Sequence, residues 1–283
     1  MNIPYSVWSS YFVDLSPEAM VDEFIKAGYS CTEFSDEHGA MLLERAAGIP
    51  GGAEKIGTEM KKYADERGFS FPQGHLYLNV DLCADDAVEI LLPWLDLFTA
   101  MDIRAGVLHT SCKREDFTAE QRFERWVQVL TKLSGHLRGT QMSIALENAG
   151  GYNYSPESLL TLIEAAGGNN LGICLDTGHL NLSRSGKLPR YGMAECTQSE
   201  FIRRAGERLI ALHIADNDGT ADQHMMPFGR GNVKFSDVMQ GLREVNYSHL
   251  FNLEIPGERS APLELRHAKL AYIHEICRYL LKE

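Results

Sequence analysis

Between Ile3 and Leu281, short apolar runs alternate with longer amphipathic segments along the whole chain. That alternation is the pattern of parallel strands joined by helical crossovers. The apolar runs are 3–8, 31–34, 71–78, 104–109, 143–147, 171–176, 209–214 and 249–255. Helices are expected between them. Ser16-Pro17-Glu18 and Ser155-Pro156-Glu157 each supply an N-cap, a proline in the first turn and an early acid, and Thr118 with Gln121 reads as a capping box. Further helices are expected over 53–67, 85–101, 197–207, 235–245 and 262–281. Eight strand–helix units in 283 residues predict one α/β domain over 1–283, a single (β/α)8 TIM barrel. A doubly wound sheet would want a glycine-rich dinucleotide loop after an early strand, and none is present. The longest stretches read as irregular are 35–52, 181–195 and 216–234. All three follow strand ends, where barrels place their active-site loops.

The last residue of each apolar run carries the chemistry. The third run gives His75, the fourth His109, the fifth Glu147, the sixth Asp176 with His179, the seventh His213 and the eighth Glu254. In LGICLDTGHLN the apolar run ends at Asp176, Thr177-Gly178 reads as a tight turn, and His179 follows. In a barrel these ends meet at one mouth. The loop after the seventh run adds Asp222 and His224. Clustered buried carboxylates repel and cost several kcal/mol unless paired or bound to a metal, so a divalent cation is expected among them. Mixed nitrogen and oxygen ligands suit Mn, Zn, Co or Fe better than Ca, and imidazole makes Mg alone less apt. Asp216 reads either as part of a polar turn or as a group orienting a ligand histidine. Gly229-Arg230-Gly231 reads as an approach loop whose Arg230 would hold a substrate, and Trp8, Phe34, Tyr77 and Tyr152, near strand ends, are candidates for a wall against a sugar ring. His38, His136, His249, His267 and His274 lie outside the strand-end register and read as surface or packing residues.

The formal charge of −12 disfavours a polyanionic partner such as nucleic acid, because such binding rests on Lys and Arg neutralising phosphates. No apolar stretch is long enough for a membrane span, and no signal peptide is read at the N-terminus. The six cysteines show no framework spacing and read as buried small hydrophobes in a reducing, cytoplasmic compartment.

The segments ALENAGG, CLDTGH, LHIADNDGTADQH, MPFGRGNVKF and NLEIPG resemble the xylose isomerase-like TIM barrel superfamily, which includes sugar phosphate isomerases and epimerases and the type IV apurinic endonucleases. The resemblance spans nearly the whole chain. Its ketose 3-epimerase branch implies one Mn or similar ion held by Glu147, Asp176, His213 and Glu254. It also implies that Glu147 and Glu254 move the substrate proton from opposite faces through an enediolate, with His179 contacting sugar oxygens. That branch expects an arginine six residues after the ligand histidine, where this chain has Gly219. The endonuclease branch implies three zinc ions on nine ligands, matched here by His75, His109, Glu147, Asp176, His179, His213, Asp222, His224 and Glu254. It has a cysteine where this chain has Gly178.

The expectation is a divalent-metal-dependent isomerase or epimerase of a small carbohydrate or cyclic polyol, with one to three ions. A zinc phosphodiesterase and a sugar dehydratase or lyase are the alternatives. The resemblance also allows a homo-oligomer.

Overall fold

The structure, a computed structural model, describes residues 1–149, 154–188 and 191–282. Its strands are β1 Tyr5–Val7, β2 Cys31–Phe34, β3 Ser70–His75, β4 Ala105–Leu108, β5 Ser143–Glu147, β6 Leu171–Asp176, β7 Leu209–His213 and β8 Phe251–Leu253. β2 to β7 pair in chain order, all parallel, and β1 pairs with β8. A parallel bridge from Ile214 to Leu253 joins β7 to β8. On the other side, the Thr32 hydroxyl donates to the Val7 carbonyl at 2.6 Å and links β1 to β2. Eight parallel strands therefore follow one another around a ring, which excludes the doubly wound sheet.

The helices are α1 Pro17–Lys26, α2 Asp36–Ala46, α3 Gly52–Asp65, α4 Ala87–Ala100, α5 Ala119–His136, α6 Pro156–Ala165, α7 Thr177–Ser185, α8 Gln198–Ala205, α9 Phe235–Glu244 and α10 Leu263–Lys282. Ser16 and Ser155 cap α1 and α6 through their hydroxyls, and the Thr118/Gln121 capping box opens α5.

Three expectations are corrected. The segment 35–52 is largely helical: Ser35 caps α2, Asp36 and Glu37 sit in its first turn, and Leu42 faces the core. Those signals form a helix start that the mixed polarity of the segment hides. Likewise, the chain does not make a loop after Asp176. The Asp176 carboxylate accepts from the His179 amide at 2.6 Å, so it caps α7, which runs on to Ser185. Third, Cys83 and Cys112 are disulfide-bonded, whereas Cys31, Cys174, Cys196 and Cys277 are free and buried. A 29-residue separation gives no sequence signature of such a pair. Among the described residues no helix is long and apolar enough to cross a membrane.

Strand periodicity sorts the barrel interior into layers. Side chains two residues apart on a strand share a face, and the small residues Ala145, Cys174 and Ala211 pack together in one buried cluster with Ala105 and Val107. Two residues further along their strands stand Glu147, Asp176 and His213. The same step leads from Val107 to His109, from Gln73 to His75 and from Asn252 to Glu254. A layer of small and polar side chains thus lies directly beneath a layer of ligand-type groups.

Candidate metal centre

Glu147 is the hub. It is 1% exposed, and its Oε2 stands 2.9 Å from His109 Nε2, 3.1 Å from His213 Nδ1 and 3.9 Å from His75 Nε2. Its Oε1 lies 2.9 Å from His179 Nδ1. His213 Nδ1 is also 3.3 Å from Glu254 Oε2, so it is close to both glutamates. His179 continues outward, with Nε2 3.1 Å from Asp222 Oδ2, and Asp222 Oδ1 is 3.4 Å from His224 Nε2. His224 Nδ1 returns to Glu254 Oε2 at 3.7 Å. All nine strand-end and loop residues read from the sequence therefore meet in one place.

Three groups within this cluster have ligand atoms within 4.8 Å of one another: His75, His109 and Glu147; Glu147, Asp176 and His179; and Asp176, His213 and Glu254. The donor atoms fit a cation. Glu147 Oε1, Asp176 Oδ2, His179 Nδ1, His213 Nδ1 and Asp222 Oδ1 are all buried without a hydrogen-bond partner among the described residues. His179 Nδ1 and Glu147 Oε1 stand 2.9 Å apart, yet neither atom makes a hydrogen bond of good geometry among the described residues. Unpaired buried polar atoms are costly, and a shared cation would satisfy them. Cys174 lies beside Glu147 and His213 and forms a further such group with them, and burial together with the neighbouring carboxylates pushes its thiol up.

The electrostatics arise from burial and crowding. Burial opposes ionisation of Glu147, yet His109 and His213 outweigh it and hold the carboxyl well below the usual range. Burial pushes Glu254 up to about 8, against the pull of His213 and His224 and with the help of Asp176 and Glu147. Burial likewise lowers His75 to about 4, assisted by His109 and His213. His179 is raised despite burial, by Asp176, Asp222 and Glu147.

Local structure explains how the loops hold these groups. Asn148 clasps the end of β6, accepting from the Asp176 amide at 2.7 Å and donating to its carbonyl at 3.0 Å. Thr177 ties α7 to the strand beside it, its hydroxyl donating to the Ala215 carbonyl at 2.7 Å. Asp216 proves to be a loop anchor: its carboxylate accepts from the Asn217 and Val233 amides, both at 2.9 Å, and among the described residues no hydrogen bond or ion pair joins it to a ligand histidine. Gly231 is the seat for that carboxylate, because a β-carbon there would lie 2.1 Å from Asp216 Oδ1. The second glycine of the approach loop therefore serves packing. Gly178 is similarly confined, a β-carbon meeting Asn217 Nδ2 at 2.9 Å and Asp176 Oδ1 at 3.2 Å.

Among the expected substrate contacts, Trp8 lies beside the cluster, its ring parallel to that of His224 at 6.3 Å between centroids. Its indole N–H donates to the Ile255 carbonyl at 3.0 Å. Arg230 is exposed, and among the described residues no hydrogen bond or ion pair joins it to the cluster. Tyr152 lies outside the described residues. Two residues that sequence reading passed over also belong here. Tyr191 packs its ring 5.3 Å from that of His179 and its hydroxyl 3.3 Å from Asp222 Oδ2. Glu33 accepts from Gln73 and pairs with His213 Nε2 at 2.9 Å from beneath. The signal for Glu33 was present as a charge inside the short apolar strand CTEF.

A closed parallel barrel with a buried carboxylate–imidazole cluster at the carboxyl ends of its strands defines a class of fold and site. The chain belongs to the xylose isomerase-like TIM barrel family, whose model matches residues 21–276. The uncharacterized protein y4fM of Sinorhizobium fredii is 28% identical over 179 residues, 61% of this chain and 53% of that protein. D-psicose 3-epimerase of Enterocloster bolteae is 26% identical over 207 residues, 67% of this chain and 62% of the epimerase. Each match thus spans less than two thirds of the relative's own length. A solved D-psicose 3-epimerase, crystallised in the presence of D-fructose, superimposes with a TM-score of 0.77 at 15% identity, covering 99% of this chain and 100% of that one. At that identity the likeness is one of fold.

Proposed function

We propose that the protein is a divalent-metal-dependent isomerase or epimerase of a small carbohydrate or cyclic polyol. The observation that carries this reading is the convergence of Glu147 and Glu254 on His213 Nδ1, at 3.1 and 3.3 Å, within one buried cluster. Similarity to a D-psicose 3-epimerase over 207 residues supports the reaction class.

Glu147, Asp176, His213 and Glu254 would hold the ion, which when bound polarises a substrate carbonyl and so acidifies the neighbouring C–H. The protein's own groups do the rest. One glutamate takes the proton and the other returns one from the opposite side, which inverts or relocates the stereocentre. His179, buried and facing both Glu147 and Asp222, would donate to a hydroxyl oxygen of the substrate. Trp8 supplies a flat face beside His224 against which a sugar ring can lie.

The test is solvent deuterium uptake at the substrate carbon across a panel of keto-sugars and inososes. Glu254→Gln is expected to keep the fold and abolish the exchange, and exchange at the wild-type level would end the proton-transfer role.

One observation favours a second reading. His75 and His109 form a ligand group with Glu147 beside those of Asp176 with His179 and of His213 with Glu254, and Asp222 and His224 lie beyond His179, the arrangement a zinc phosphodiesterase would use. Gly178 counts against it, since the endonuclease cysteine would displace Asn217 or Asp176. Metal analysis and incubation with an abasic duplex separate the two. About one Mn, Co or Mg per chain supports the sugar enzyme, whereas two or three Zn with strand cleavage would replace it with phosphodiester hydrolysis.

A further inference from the structure

Below the metal centre the barrel interior carries a second polar constellation. Glu33 of β2 is fully buried, in register with Gln73, in the layer that also holds Val107, Ala145, Cys174 and Ala211. Its Oε1 lies 2.9 Å from His213 Nε2 and accepts from Gln73 Nε2 at 3.0 Å, while its Oε2 accepts from Asn252 Nδ2. Gln73 is itself fixed, donating to the Leu212 carbonyl at 3.2 Å. The carboxylate is thus held by β3, β7 and β8 at once. None of these partners is Lys or Arg, and His213 is the one titratable group among the three. A buried carboxyl group in the barrel interior costs stability that an apolar side chain would not.

We propose that Glu33 is a positioning residue for the metal centre, holding the hydrogen of His213 on Nε2 so that the Nδ1 lone pair faces Glu147 and Glu254. The proposal rests on the metal-dependent reading of this centre. The geometry is directional. His213 Nδ1 stands 3.1 and 3.3 Å from the two glutamates and has no hydrogen-bond partner among the described residues, while Nε2 is committed to Glu33. A carboxylate on the far nitrogen fixes the tautomer and the ring and makes the near nitrogen a stronger ligand.

Glu33→Gln removes the charge and keeps the shape. Asn252 Oδ1 is buried without a partner among the described residues, so reversing that amide would accept the new Nε2–H, and the variant is expected to fold. With zinc as the probe, titrated in competition with a chromophoric chelator, the variant should bind about 10- to 100-fold more weakly than wild type. The metal-free variant should melt no lower than metal-free wild type. A zinc affinity within twofold of wild type, or a lower melting temperature with unchanged affinity, would overturn the proposal and leave Glu33 a purely structural contact. Nitrogen-15 NMR of zinc-loaded wild type decides independently of the variant: metal on His213 Nδ1 with a retained Nε2–H supports the proposal, and metal on Nε2 overturns it. If wild type binds none of Zn, Mn or Co, the metal centre itself fails and this proposal with it. Wild-type binding with an unaffected Glu33→Gln variant defeats the proposal alone.

Discussion

Gly231→Ala tests how the site is held together, because it adds one methyl group at one point of contact. The β-carbon would lie 2.1 Å from both Cγ and Oδ1 of Asp216 and 2.5 Å from Oδ2, distances no packing tolerates. Asp216 is 2% exposed and cannot swing into solvent, and its carboxylate pins both ends of the loop through the Asn217 and Val233 amides. Losing one or two hydrogen bonds to a charged group costs roughly 1.5–3 kcal/mol each, and overpacking alone costs about 1–3 kcal/mol. A total of roughly 2.5 to 9 kcal/mol is therefore expected, and even its lower end lowers the melting temperature of a chain of this size by roughly 5–10 °C. The loss should be local in function. Asp216 also bridges to Met225 through its backbone, so the loop bearing Asp222 and His224 loosens while Glu147, Asp176, His213 and Glu254 stay on strand ends. Calorimetry with metal titration measures both effects. The variant should lose whatever metal binding depends on Asp222 and His224 before it loses the Glu147 centre. Gly229→Ala is the control, since its β-carbon would meet only the Met226 carbonyl, at 3.1 Å. An unchanged melting temperature and unchanged metal binding in Gly231→Ala would refute the anchoring role of Asp216.

Two further predictions use groups away from the metal ligands. His38 is fully buried with its Nδ1 2.9 Å from the Ser9 hydroxyl, and burial lowers it from 6.5 to about 4. It is neutral in the fold and gains a proton on unfolding below about pH 6.5, so it removes about 3 kcal/mol of stability as pH falls from about 6.5 to 4. Asp36, raised to about 6 by burial and by Glu37, shifts stability the opposite way over part of that window. The difference between wild type and His38→Gln therefore isolates the histidine, and parallel pH curves for the two would contradict its neutral burial. The Cys83–Cys112 bond joins the loops that come after His75 and His109 across 29 residues. Reduction is expected to destabilise the chain by about 3–4 kcal/mol on the chain-entropy account, and an unchanged melting temperature in a dithiol reductant would show the bond contributes nothing.

The site was more legible than its surroundings, for a physical reason. A strand ending in His or a carboxylate is visible in sequence because the apolar run before it is buried and the alternation fixes its face. His75, His109, Glu147, Asp176, His213 and Glu254 were legible on those grounds, and a barrel needs only chain order to bring them together. Helix starts inside polar segments were less legible. Ser35 and Asp176 each cap a helix, yet Asp176 also ends a strand and reads as a ligand, and one residue serving all three roles leaves its cap signal masked. The disulfide, the clasp by Asn148 and the seat that Gly231 makes for Asp216 depend on approaches between segments far apart in the chain, which no local pattern encodes.

Glu33 shows where the boundary falls. A charge within CTEF contradicts the apolar character of its strand, and such local conflicts mark functional or strained positions. The conflict alone names no partner. Its meaning depends on the register that sets Glu33 opposite Gln73 and on the ring closure that brings β7 and β8 within reach, placing His213 above and Asn252 beside it. The outer layer of the centre is thus written as a sequence pattern, whereas the layer that aims it is written only in the closed barrel. Substitutions in the lower layer should accordingly change how tightly and in what geometry a metal is held, and those in the upper layer whether it is held at all.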